Sequence, residues 1–140
     1  TFHTVRWFGL GPGENYPDSR TAAVYGVYEK YVGDLFTPYV RPQENGERMD
    51  CDWISCTDRA ANGIAVHGRE PFHFNASYYT ADDLERAAHP GELTKQANVL
   101  LNLDAGINGI GCESCGPALP EKYRLQAQPF TLSLAFVPKQ

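Results

Sequence analysis

The sequence lacks a long hydrophobic run. Even its longest apolar stretches are only a few residues, as in Val99-Leu100-Leu101. A helix that crosses a membrane needs about 18 or more apolar residues in a row. It also lacks an excess of basic charge, because 12 Lys and Arg are set against 17 Asp and Glu, for a net charge of −5. We therefore expect no membrane-spanning helix and no binding to the phosphate backbone of a nucleic acid.

Familiar catalytic and metal-binding motifs are missing as well. There is no G-x-S-x-G that would hold a nucleophilic serine in a tight turn. The four histidines, His3, His67, His73 and His89, match no H-E-x-x-H spacing. His73 alternates outward in a predicted strand, and His89 ends a predicted short helix, where a cation favours the helix dipole. We therefore assign neither a catalytic residue nor a metal ligand to this chain.

Cysteine is scarce, with only Cys51, Cys56, Cys112 and Cys115. Four such residues could build a zinc site or a disulfide, and Cys112 and Cys115 form a C-x-x-C pair in a loop flanked by Gly and Pro. Cys51 and Cys56 are an odd number of positions apart in one predicted strand, so they should point to opposite faces and could share a metal only across a bulge. Free thiols are the expectation for a chain without a secretion signal.

The overall composition suits one folded domain over residues 1–140. Of these 140 residues, 42% are hydrophobic and 12% aromatic, which excludes intrinsic disorder, and single domains commonly run to about 100–150 residues. The chain starts at Thr1 with no initiator Met and no signal sequence. We therefore expect it to be a piece of a longer polypeptide.

Glycine and proline recur at short intervals, and segments rich in β-branched and aromatic residues lie between them, which is typical of antiparallel β structure. In residues 129–137, four large apolar residues alternate with small or polar ones, so one face of this strand should be apolar. Because each apolar face needs a cover, the pattern favours a β-sandwich. The predicted strands are residues 2–8, 21–32, 48–57, 63–68, 72–78, 99–106 and 129–137.

One segment departs from the β pattern. Thr80 is a good N-cap residue, and Asp83 lies in the first turn, where its charge complements the helix dipole. The sequence therefore predicts one short helix over residues 80–88, ended before Pro90.

Several blocks of sequence resemble one known family. They are G-L-G-P-G-E-N-Y-P-D at 9–18, the P-Q-E-N-G-E-R that ends a block at 39–48, F-H-F-N-A-S-Y-Y at 72–79 and N-G-I-G-C-E-S-C-G-P at 108–117. In this order they resemble the C-terminal region of the large β-galactosidases of glycoside hydrolase family two, over roughly residues 5–137.

The resemblance implies both a fold and a role. It implies the C-terminal half of the enzyme's last domain, an antiparallel β-sandwich of the galactose-mutarotase-like supersandwich kind. The parent would hydrolyse terminal β-D-galactosides such as lactose with retention, and in that family both catalytic glutamates and the magnesium site lie on a separate (β/α)₈ barrel. By itself the fragment is then expected to be inactive and to hold no cofactor.

Partners and location follow from the same resemblance. The expected partners are the remaining domains of the parent, together with the galactoside at a shared active-site mouth. Half of a larger sandwich would expose strand edges, so the fragment should either self-associate or close its own core. The expected location is cytoplasmic, with an exported or periplasmic parent as the alternative.

The resemblance also names residues beside the substrate, namely Glu113, Ser114 and Cys115. The loop that holds them is one residue shorter than the commoner G-G-D-D-S-W pattern, and Cys115 stands where the family has a Trp that stacks on the aglycone sugar. Because a thiol offers no ring face, we expect weaker aglycone binding and less transglycosylation.

A second group of residues is expected to tie loops together by charge-assisted hydrogen bonds, or to face the barrel. Ser19 interrupts the usual P-D-R run of the family, so Arg20 should be displaced from its customary partner. The group comprises Glu14, Tyr16, Asp18, Arg20, Arg41, Glu44, Asn45 and Arg48.

Two functions from other classes remain open. A free-standing carbohydrate-binding module could use the many aromatic residues as a sugar platform, and it would bind galactose or lactose without any other domain. A mutarotase-like aldose epimerase would use a histidine as general base, together with a carboxylate.

Overall fold

The computed structural model describes residues 1–111 and 117–140, and its strands form one antiparallel sheet with a single short helix beside it. This confirms the predicted all-β, antiparallel, sandwich-like fold with one short helix. Short 3₁₀ turns connect several of the elements. The elements are β1 (Thr4–Gly11), β2 (Val24–Tyr31), β3 (Arg48–Thr57), β4 (Gly63–Ser77), α1 (Ala81–Arg86), β5 (Leu100–Asp104) and β6 (Leu134–Lys139).

The strand order is β2-β1-β3-β4-β5, and β6 pairs with β4 beside β5. Strand β4 is long enough to pair with β6 through residues 63–68 and with β5 through residues 73–77. The sequence predicted two strands here, interrupted near Pro71. The chain tolerates this proline inside one strand because it lies between the two ladders, where its missing N–H removes no pairing bond.

One face of the sheet is the core. Val5 and Trp7 of β1 lie on this face, and Ile54 of β3 is the cross-strand partner of Trp7. Val32 and Leu35, from the 3₁₀ turn that follows β2, pack onto them. Each of these side chains is almost fully buried, and burial of an aliphatic or aromatic side chain of this size contributes roughly 1.5–3 kcal/mol.

The two cysteines of β3 correct the sequence-based expectation, because Cys51 and Cys56 both lie in this core. The register of β3 against β4 shifts on both sides of Cys51, and Asp50 has a left-handed φ of 52°. Such a bulge adds a residue to the strand and changes the face to which the next side chain points. Both thiols are free, and burial raises the pKa of Cys51 and raises that of Cys56 to about 12.

The short helix begins as predicted, but it ends earlier. Thr80 and Asp83 form a capping box, in which the Asp83 N–H donates to Thr80 Oγ1 at 3.0 Å and the Thr80 N–H donates to Asp83 Oδ2 at 2.9 Å. The helix closes at Arg86, about half a turn before the predicted end. In the part of the chain that the structure describes, no helix is long and apolar enough to cross a membrane.

The opposite face of the sheet carries an exposed apolar surface. We define the outer face by Phe8 of β1, Tyr25 and Val27 of β2, Trp53 of β3 and Val137 of β6, which the cross-strand pairing places on one side of the sheet. The Phe8 ring packs edge-on against Tyr25, with 4.8 Å between centroids, and lies 6.5 Å from the Trp53 ring. Val27 and Val137 are about half exposed.

The last strand differs from its prediction. It runs from Leu134 to Lys139 instead of over residues 129–137, because β4 pairs with β6 only as far as Gly68 and then pairs with β5. Of its expected apolar face, Leu132 and Leu134 pack against the core and are partly buried, whereas Phe130 and Phe136 are 75% and 59% exposed.

Candidate functional site

Polar side chains from three separate segments meet at one end of the sheet. The segments are the loop after β1, the loop before β3 together with the first residue of β3, and the second half of β4. We call this group the polar cluster, and its members are Glu14, Asn15, Tyr16, Glu44, Asn45, Glu47, Arg48 and Asn75.

Glu14 fixes the turn that precedes β3. Its Oε2 accepts a hydrogen bond from the Gly46 N–H at 2.7 Å, and its Oε1 accepts one from the Tyr39 hydroxyl. Burial and this carboxylate raise the pKa of Tyr39 to about 12. Gly46 has a φ of +85°, which favours glycine, and a Cβ at this position would lie 3.1 Å from the Leu35 carbonyl oxygen.

Tyr16 lies at the centre of the cluster and is fully buried. Its hydroxyl donates to Glu44 Oε1 at 3.2 Å and accepts from the Glu47 N–H at 3.4 Å. Its own N–H donates to Ser19 Oγ at 3.1 Å. Burial is the main reason why the pKa of Tyr16 is raised, so the side chain stays a neutral donor.

Arg48 joins three loops through backbone carbonyl groups. Its Nη1 donates to the carbonyl oxygens of Leu35 and Gly46 at 3.1 and 2.6 Å, and its Nη2 donates to that of Pro12 at 3.3 Å. The guanidinium also lies over the Trp7 ring, 5.5 Å from its centroid. Burial lowers the pKa of Arg48 to about 10, so the group remains charged at neutral pH.

Glu47 is the least satisfied member of the cluster. The residue is 1% exposed, and its Oε1 has no hydrogen-bond partner among the described residues. Burial raises the pKa of Glu47 to about 8, the charges of Asp104 and Glu44 add to the rise, and Arg48 opposes it. The carboxyl group is therefore mostly protonated at neutral pH.

Asn15 and Asn75 complete the cluster. The Asn15 Oδ1 accepts from the Met49 N–H at 3.0 Å. The Asn75 amide donates to the Asn45 carbonyl oxygen and, at 3.4 Å, to Glu44 Oε1. Sequence reasoning missed both asparagines as well as Glu47, although the motif blocks at 9–18, 39–48 and 72–79 contain all three.

His73 corrects another expectation, since it is 8% exposed rather than outward-facing. Its Nδ1 accepts a hydrogen bond from the Asp50 N–H at 3.1 Å, and burial lowers its pKa. The chain from Glu44 to Asp50 crosses the side of β4 that carries His73 and Asn75. The polar side chains of this half of β4 are therefore buried.

The remaining predicted residues lie around the cluster. Arg20 forms an ion pair with Asp50. Asn45 Oδ1 accepts from the Thr37 N–H at 3.0 Å. Arg41 is exposed, and within residues 1–111 and 117–140 it has no hydrogen bond or ion pair.

Asp18 connects the β1 loop to a distant part of the chain. Its Oδ2 accepts from the Gly111 N–H at 2.8 Å, and its Oδ1 accepts from the Ile110 N–H at 3.3 Å. The residues that the resemblance places beside the substrate, Glu113, Ser114 and Cys115, lie outside the described residues.

The chemistry of this arrangement is that of a framework. Its hydrogen-bonded carboxylates accept from backbone N–H groups, tyrosine hydroxyls and the Asn75 amide, and Arg48 donates to carbonyl oxygens. Over residues 1–111 and 117–140, no three His, Cys, Asp or Glu side chains lie close enough to hold a metal ion.

The fold and the site define the class of protein. It is an all-β domain in which hydrogen bonds from polar side chains hold loops in place at one end of a sheet. Residues 1–136 match the family model described as beta galactosidase small chain. The chain belongs to this family, which confirms the resemblance found in the sequence blocks.

Curated relatives give the same result. The chain is 35% identical over 130 residues to a β-galactosidase from Actinobacillus pleuropneumoniae, 36% over 140 residues to one from Kluyveromyces lactis, and 37% over 131 residues to one from Pseudoalteromonas haloplanktis. These matches cover 93 to 97% of the chain but only 12 to 13% of the relatives. The chain therefore spans about an eighth of the length of these relatives.

Proposed function

We propose that this chain is an accessory part of a larger, retaining β-galactosidase that hydrolyses terminal β-D-galactosides such as lactose. The observation that carries the proposal is the nearly end-to-end match to the small-chain family, whose curated relatives bear the name β-galactosidase and are about eight times longer. In this proposal the catalytic carboxylates belong to the rest of the enzyme. The same holds for the magnesium that the parent is expected to need, and the enzyme is cytoplasmic.

The outer face of the sheet supports the accessory role. Single exposed apolar residues are common on proteins, but a contiguous apolar patch marks an interaction surface. Here Tyr25 and Val27 on β2 adjoin Phe8 and Trp53 on β1 and β3, and Val137 on β6 lies beyond Ala65 and His67 of β4. We propose that other domains of the parent pack on this face.

The loop that contains Glu113, Ser114 and Cys115 is proposed to border the aglycone side of the active site. The polar cluster supports this role indirectly. It fixes the loops at one end of the sheet, and Asp18 extends these contacts to Gly111, the last described residue before that loop. The absence of a Trp in the loop is proposed to weaken aglycone stacking.

The test compares the full-length enzyme with this chain alone. Hydrolysis of a chromogenic galactoside should require the full-length enzyme, and the isolated chain, checked for β structure by circular dichroism, should give no turnover. Isothermal titration of the isolated chain with galactose and lactose should give no heat of binding. Turnover by the chain alone would overturn the proposal, whereas sugar binding without turnover would favour a carbohydrate-binding module.

A further inference from the structure

Two stretches of chain run side by side on either flank of residues 112–116. We call them the stem and define it as residues 108–111 and 119–125. The Leu125 N–H donates to Asn108 Oδ1 at 2.6 Å, and the Gly109 N–H donates to the Tyr123 carbonyl oxygen at 3.3 Å. These two bonds hold the flanks to each other, but they do not fix the stem to the sheet.

Asp18 supplies the attachment to the rest of the domain. Its two carboxylate oxygens accept from two consecutive backbone N–H groups, those of Ile110 and Gly111. A carboxylate that bridges neighbouring amides in this way fixes both the position and the direction of the backbone, and hydrogen bonds to a charged group are the stronger kind.

The glycines of the stem fit this contact closely. A Cβ on Gly109 would lie 2.7 Å from Asp18 Cγ, so a larger residue would push the carboxylate away. Gly111 has a φ of +64°, a conformation that side chains rarely adopt. The backbone therefore approaches the Asp18 carboxylate closely at Gly109 and turns at Gly111.

We propose that Asp18 is a positioning residue, which holds the stem and thereby sets where the chain enters residues 112–116. The inference rests on the proposed function, in which Glu113, Ser114 and Cys115 border the aglycone side of a galactosidase active site. Asp18 does not touch substrate in this account. It acts through the backbone of Ile110 and Gly111, so its loss should affect aglycone recognition more than cleavage of the galactosyl bond.

The test uses the full-length enzyme with Asp18→Asn. The amide keeps one acceptor but turns an NH₂ group toward the second N–H, so one of the two bonds is lost. The control is Asp82→Asn, which removes an exposed carboxylate from the short helix. Amide hydrogen exchange at Ile110 and Gly111 should accelerate by about tenfold in Asp18→Asn, as the loss of one hydrogen bond to a charged group implies, and should not change in the control.

Kinetics then separate positioning from simple destabilisation. The KM for lactose and the ratio of transglycosylation to hydrolysis should change several-fold in Asp18→Asn, while kcat on an aryl galactoside stays within twofold of the wild-type value. Equal loss on both substrates, in proportion to lost thermal stability, would mean a structural role only and would overturn the inference. Unchanged exchange at Ile110 and Gly111 would also overturn it.

A second pair of variants, Glu113→Ala and Ser114→Ala, shows which proposal has failed. If they alter the lactose KM and Asp18→Asn does not, the inference about Asp18 is wrong and the proposed loop role stands. If neither they nor Asp18→Asn affect discrimination between lactose and the aryl galactoside, the loop role is wrong and the positioning role falls with it.

Discussion

The hydroxyl group of Tyr16 lies 3.2 Å from Glu44 Oε1 and donates a hydrogen bond to it, although the two residues are 28 positions apart. The same hydroxyl accepts from the Glu47 N–H. One buried oxygen atom therefore joins the loop after β1 to the loop before β3. A backbone bond, from the Asn15 N–H to the Glu47 carbonyl oxygen at 2.9 Å, joins the same two loops, so side-chain and backbone bonds together decide how they pack.

Removal of this hydroxyl should destabilise the domain. In Tyr16→Phe the ring still fills its place, but the Glu47 N–H loses its partner and Glu44 loses a donor. An unsatisfied buried polar group costs about 1–3 kcal/mol, so we expect the free energy of unfolding to fall by that amount. Urea denaturation of the isolated domain measures the change. Tyr31→Phe, at an exposed tyrosine, is the matched control and should change it little.

Because Glu47 is buried, we expect the free energy of unfolding to depend on pH in an unusual way. Its pKa in the folded state, about 8, lies above the ordinary value of 4.5, so folding favours the protonated form. Its contribution to stability is therefore complete below about pH 4.5 and is lost as the pH rises through 8. Glu47→Gln, a neutral side chain of similar shape, should remove this loss.

The measurement is urea unfolding at pH 5, 7 and 9. At pH 5 the wild-type domain and Glu47→Gln should be nearly equal, whereas at pH 9 the variant should be more stable, on the order of a few kcal/mol. Glu85→Gln, at an exposed glutamate on the helix, controls for the loss of one negative charge. Parallel pH curves for the wild type and Glu47→Gln would show that the carboxyl group is not held protonated.

Much of the fold could be predicted from local pattern. The strand over residues 48–57 has the predicted bounds, and the helix starts at the predicted cap, because alternation and capping depend on neighbouring residues. The bulge at Asp50 could not be predicted in this way. At the bulge the His73 Nδ1 accepts from the Asp50 N–H, and such a long-range contact leaves no periodic signal.

The residues of the site divide in the same way, into those that the sequence singled out and those that only the tertiary structure shows. Motif blocks singled out Glu14, Tyr16 and Arg48, because charged and aromatic residues among glycines and prolines are conspicuous in a sequence. Glu47 and Asn75 were missed because polar residues are usually exposed, both next to a strand, as Glu47 is, and within one, as Asn75 is. Their burial results from the way the loop before β3 covers β4, and that is a property of the tertiary structure.

If other domains of the parent pack on the outer face, a charged substitution there should have an effect that depends on the rest of the enzyme. Val27→Asp places a charge on the β2 edge of this face, next to Phe8, where the proposed neighbour would bury it without a partner. In the full-length enzyme we expect the thermal midpoint to fall by several degrees and protease cleavage next to the domain to accelerate. Val40→Asp, at an exposed loop valine away from the sheet, should do neither. Equal effects of both variants would contradict packing on the outer face.

The final prediction concerns the geometry of Arg48 rather than its charge. Its two terminal nitrogens donate to three carbonyl oxygens, from Pro12, Leu35 and Gly46, while the guanidinium plane lies over Trp7. The ammonium group of a lysine has no plane to stack and cannot span the same three oxygens.

Arg48→Lys should therefore destabilise the isolated domain by about 2–4 kcal/mol even though the charge is kept, because carbonyl groups from separate loops lose donors in a buried site. Arg41→Lys makes the same substitution at an exposed position of the same sequence block and should change the free energy of unfolding by less than about 0.5 kcal/mol. Urea unfolding followed by tryptophan fluorescence is well suited to the comparison, since Trp7 lies beneath the guanidinium. If Arg48→Lys proves as mild as Arg41→Lys, a single positive charge is enough to hold the three loops, and the planar contact is not needed.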